Sequence, residues 1–70
     1  MSTRPSDQEL SAMTVNERLG ACGLFPRWDA AVIGRRRGEM IEILSEVAIP
    51  KEEAARTSDA ILANPKTYGF

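Results

Sequence analysis

Residues 38–49, Gly38-Glu39-Met40-Ile41-Glu42-Ile43-Leu44-Ser45-Glu46-Val47-Ala48-Ile49, decide the fold. At about 100° per residue, Met40, Ile41, Ile43, Leu44, Val47 and Ala48 share one broad arc. Glu39, Glu42 and Glu46 gather on the opposite side. This is the pattern of an amphipathic helix with one buried and one wet face. Its apolar side is the richest in the chain, so the other elements are expected to pack around it.

On the N-terminal side, Ala30, Ala31 and Val32 belong to a helix expected over Arg27–Arg36, with Trp28, Ala31 and Val32 on its inner face. Pro26 suits the entry to that helix, where a missing N–H costs nothing. Arg37-Gly38 leaves room only for a tight turn, so these two helices are expected to form an antiparallel hairpin at the centre of the fold. The spacing of Ala30-Ala31-Val32-Ile33-Gly34 through Met40-Ile41-Glu42-Ile43-Leu44 resembles the helical hairpin of an ankyrin repeat. The opening Thr-Pro-Leu-His signature of that repeat is absent and no second copy follows, so no family is assigned.

Further out, Thr14 and Glu17 have capping-box spacing and start a first helix. Val15, Leu19 and Cys22 share its face, and Gly23 ends it in a left-handed conformation. On the C-terminal side, Pro50 opens a fourth helix whose inner face is Ala54, Ala55, Ser58, Ile61 and Leu62, and Asn64-Pro65 stops it. The tail Lys66-Thr67-Tyr68-Gly69-Phe70 is expected to be non-helical and to fold back over the core. No strand-like alternation of useful length occurs. The reading is an all-α fold, a compact bundle of four short helices. Residues 1–13 are read as a flexible polar leader, in which Ser6 and Glu9 have capping-box spacing for one frayed helical turn, and residues 14–70 as one helical domain. Met13, immediately before the first helix, is a candidate second translation start.

Composition narrows the function. Seventy residues form one small domain, of a size that buries only ~60% of its unfolded surface and gains from any partner that covers more. An apolar fraction of 43% and a charged fraction of 27% argue against disorder. The net charge of −1 counts against a dedicated nucleic-acid binder. Cys22 is alone, which points to a reducing cytoplasmic compartment. No secretory signal and no membrane-length apolar run is present. With no histidine and one cysteine, histidine-based catalysis and ordinary zinc sites have no ligands. No glycine-rich phosphate loop and no calcium-loop spacing occurs. The expectation is a non-enzymatic protein with no cofactor, no metal and no small-molecule substrate.

What remains is contact chemistry. Arg35-Arg36-Arg37 is the densest charge cluster, read as the basic end of the second helix, complementing its dipole and pairing with Glu39. Ile33 lies off the inner face beside it and could anchor an interface rimmed by those arginines. Tyr68 and Phe70 are the remaining interaction candidates. The expected function is therefore protein–protein interaction, as an adaptor, antitoxin-like or inhibitor-like regulator, with another protein or a second copy as partner. The alternative is a dimeric helix-turn-helix DNA-binding regulator, with Ala48-Ile49-Pro50 as the turn and Lys51 to Leu62 as recognition helix. Glu52 and Glu53 would then face phosphates, which disfavours it.

Overall fold

A computed structural model describes residues 5–70, and among them the chain is all-helical. Five α-helices run in order: α1 (Asp7–Ser11), α2 (Val15–Ala21), α3 (Phe25–Ile33), α4 (Arg37–Glu46) and α5 (Lys51–Ala63). A 3-10 turn, Pro65–Tyr68, follows. The four helices read from the sequence are α2 to α5, and α1 is additional. Among the described residues twelve buried apolar side chains form one core, with Met40, Ile43, Leu44 and Val47 from the α4 segment fully buried at its centre. The α4 helix packs most extensively on α5 and next on α3. No helix among the described residues is long and apolar enough to cross a membrane.

The capping box at α2 forms as its spacing predicts. The Thr14 N–H donates to Glu17 Oε1 at 2.9 Å, and the Glu17 N–H donates to Thr14 Oγ1 at 3.2 Å. A second box, between Ser6 and Glu9, starts α1. Residues 1–4 lie outside the described residues, but residues 5–13 hold α1, whose Leu10 is completely buried in the core. A single leucine in a polar segment carries little periodic signal, yet it is enough to dock one turn. Burying it contributes about 1.5–3 kcal/mol, whereas ordering a residue's backbone costs roughly 1–2 kcal/mol. Leu10 alone therefore cannot hold the five residues of α1, and Arg18 supplies part of the difference. Its guanidinium donates from Nε to the Met13 carbonyl (3.1 Å), from Nη1 to Val47 (3.2 Å) and Ala48 (3.4 Å), and from Nη2 to Ser11 (3.5 Å). One side chain of α2 thus satisfies carbonyls left open after both α1 and α4.

The turns follow one rule. Among the described residues, positive φ occurs at Gly23, Arg35, Ala48 and Gly69. After each, the next N–H donates to the carbonyl five residues back: Leu24 to Leu19 (2.9 Å), Arg36 to Ala31 (2.8 Å), Ile49 to Leu44 (3.1 Å) and Phe70 to Pro65 (3.0 Å). This is the Schellman closure, which normally places glycine at the left-handed position. Here two of the four positions carry arginine and alanine, so two helix ends were hidden from a glycine-based reading. The helix expected over Arg27–Arg36 is Phe25–Ile33, and Pro26 lies inside its first turn. Gly38, expected to break the chain, lies inside α4, and the turn before α4 is Gly34-Arg35-Arg36. The tail, expected to be non-helical, forms the 3-10 turn and ends in the same closure.

A left-handed alanine is strained by roughly 1–2 kcal/mol, partly offset by the ~0.5–1 kcal/mol entropic cost of glycine. Ala48→Gly should therefore raise stability by about 0.5–1 kcal/mol, and Gly23→Ala should lower it by a similar amount, both read from urea midpoints. Equal loss from both substitutions would show that Ala48 is not held left-handed.

Candidate aromatic groove and charged surface

Phe25 opens α3, and its ring lies across Gly20 of α2: a methyl group at Gly20 would stand 3.1 Å from Phe25 Cε2. The missing side chain at Gly20 lets the ring lie close against α2 while remaining 40% exposed. Trp28 follows one turn later and is buried, with Asp29 beside it. From the other end of the chain, the closure after the 3-10 turn brings Tyr68 and Phe70 to the same place. Phe70 packs against the core, whereas Tyr68 stays 51% exposed. The result is an open depression of about 790 Å³ between the start of α2, the first half of α3, the second half of α5 and the tail. All four aromatic residues of the chain line it. Ile61 of α5 lies in its wall, and Asp29 is the one lining side chain charged at neutral pH.

The structure brings two of the expected interaction residues, Tyr68 and Phe70, into the groove, and the others lie outside its lining. Ile33 ends α3 and is 75% exposed. The arginine cluster is not the last turn of a helix: Arg35 is the left-handed turn residue, Arg36 precedes α4, and Arg37 is the first residue of α4. The dipole argument for it therefore fails, since α4 presents its positive end there. Its partners also differ from the expected Glu39. Arg37 holds Asp59 of α5 with Nε–Oδ1 at 2.6 Å and Nη2–Oδ2 at 3.2 Å, while Arg35 Nη2 donates to the Leu62 carbonyl at 3.2 Å. Both contacts seat the start of α4 against the end of α5. The acidic stripe is met instead by Arg27 of α3, which reaches Glu39 (3.4 Å) and Glu46 (3.1 Å).

Phe25, Asp29 and Arg18 escaped the sequence reading. Phe25 and Asp29 stand four residues apart on one helix face, a spacing visible only once α3 is known to start at Phe25. Arg18 carries no local signal, because its partners are backbone atoms up to 30 residues away. Among the described residues no group of three or more acidic, cysteine or histidine side chains is placed to hold a metal ion. Comparison with protein-family models, with curated proteins and with solved structures finds no match.

Ser58, on the inner face of α5, is fully buried and its hydroxyl has no hydrogen-bond partner among the described residues. A buried, unpaired hydroxyl costs about 1–3 kcal/mol. Ser58→Ala should raise stability by about 1 kcal/mol or more, measured by urea denaturation; a loss would mean that the hydroxyl is paired.

The Arg37 hydrogen bond, helped by its charge, holds the Asp59 carboxyl below the ordinary aspartate range. The Thr14 backbone N–H does the same for Glu17. A carboxylate with a depressed folded pKa stabilises the fold above its unfolded pKa, and the contribution disappears as pH falls through the folded value. The urea midpoint should therefore fall as pH drops from about 5 to about 3. Asp59→Asn should flatten part of that fall, and an unchanged pH profile would remove the pair as a contributor.

Proposed function

We propose that this protein acts by binding another protein, in the cytoplasm and without a reaction of its own, and that the aromatic groove is its contact surface. The observation that carries this reading is the gathering of all four aromatic residues around one open depression. In so small a domain, aromatic surface left accessible is surface the core forgoes. Aromatic side chains around a partly desolvated pocket are also the groups that dominate protein–protein contacts. Phe25 and Tyr68 supply the exposed part, and Trp28 and Phe70 form the fixed floor. Adaptor, antitoxin-like and inhibitor-like roles all use such a surface.

Duplex DNA is the weaker reading. Arg37 is engaged by Asp59 and Arg27 by Glu39 and Glu46, and the exposed start of α5 places Glu52 and Glu53 directly after Lys51. A basic face free to follow a phosphate backbone is thereby reduced.

A Phe25→Ser, Tyr68→Ser double variant removes only side chains that are substantially exposed, so it should keep the helical circular dichroism of the parent. Association of the parent, with itself by light scattering or with a protein retained from lysate, should weaken at least about tenfold in the variant. A parent that is stable, monomeric at every concentration and retains nothing would overturn the reading.

A further inference from the structure

We infer that the occupant of the groove is a second copy of this chain, docked through the turn Ile33-Gly34-Arg35-Arg36. The inference rests on the reading of the groove as a protein-contact surface and identifies what fills it. Among the described residues the exposed large apolar side chains are Phe25, Tyr68 and Ile33. The first two form the rim of the groove. The third ends α3 where the turn begins, lies outside the groove lining and is largely exposed.

The charges match in the same sense. Asp29 is the groove's charged lining residue and makes no hydrogen bond or ion pair among the described residues. The carboxylate of Glu17 sits at the Thr14 end of the groove, held by the Thr14 N–H. No arginine or lysine lines the depression. Arg36, exposed on the turn with no carboxylate partner among the described residues, and Arg35, whose one contact is to a carbonyl, are the cations. An isoleucine entering between Phe25 and Tyr68 places the neighbouring guanidinium against the aromatic faces and Asp29, where cation–π attraction and the ion pair act together.

Closure follows from where the two surfaces lie. Arg35 touches the Leu62 carbonyl, and Ile61, the preceding residue of α5, is in the groove wall. Both surfaces thus meet at the same end of α5. Two copies related by a two-fold axis can each insert the turn into the other's groove, giving two identical contacts and a dimer rather than an open chain.

The test is sedentary in materials and direct in outcome: sedimentation equilibrium of the full chain from about 10 µM to about 1 mM, alongside the variants Ile33→Ser, Asp29→Arg and Arg36→Asp. Wild type should reach a dimer within that range, and each variant should weaken it at least about tenfold. Mixing Asp29→Arg with Arg36→Asp should restore a heterodimer, because the arginine groove of one then accepts the aspartate turn of the other. Circular dichroism of all three variants should match wild type, since each changes an exposed side chain. A dimer indifferent to the three variants, or no rescue on mixing, overturns the docking. A strictly monomeric wild type overturns it too. In that case a blocked hexapeptide with an adjacent leucine–arginine pair is titrated while Trp28 fluorescence is followed. Saturable change keeps the groove as a protein-contact surface with a foreign occupant, and none removes that reading as well.

Discussion

Among the described residues four have positive φ, Gly23, Arg35, Ala48 and Gly69, and they fix where the helical segments stop. Helices of this length are marginal on their own, so their ends matter as much as their middles. At each left-handed residue the chain closes one hydrogen bond over five residues and stops its helix without spending a long loop. In three of the four cases an apolar residue, Leu24, Ile49 or Phe70, follows immediately and is delivered toward the core. The fold is therefore a sequence of short helices whose stops are also their packing instructions. Arginine and alanine at two of those stops show that the core imposes the conformation: the burial of Ile49 and the α3–α4 packing outweigh the strain of a left-handed L-residue.

Charge does a different job. The Arg37–Asp59 and Arg27–Glu39/Glu46 contacts lie on the surface, where each ion pair contributes little stability. Their effect is to choose among ways of laying α3 and α5 against α4. Arg18 is the exception. Half-buried and donating to four carbonyls at the ends of α1 and α4, it substitutes for the water those carbonyls would otherwise need. Without it the N-terminal helix would rest on Leu10 and the partly buried Met13.

The same economy bears on function. A domain that leaves Phe25, Tyr68 and Ile33 accessible has surface that neither its core nor its charge network uses. The aromatic groove exists because Gly20 lets Phe25 lie close on α2 and because the last left-handed turn carries Phe70 back to the core. Both are features of backbone placement, so the groove is a by-product of the same left-handed stops that build the fold.

The sequence by itself determined the all-helical class, the heart of the core and the start of α2, because each is written in local periodicity or a short capping pattern. Met40, Ile43, Leu44, Val47, Ala54 and Ile61 are buried as their spacing requires. Tyr68 and Phe70 were visible as isolated aromatics, but not their company. Tertiary structure alone decided that Leu10 anchors a further helix, that α3 begins at Phe25 and stops before the arginines, and that Arg37 pairs with Asp59 rather than Glu39. It also decided that residues 25, 28, 68 and 70 share one groove. The physical reason is common to all of these: each depends on a contact between residues far apart in the chain, or on a left-handed backbone held by burial, and neither leaves a mark in the local pattern of apolar and polar residues.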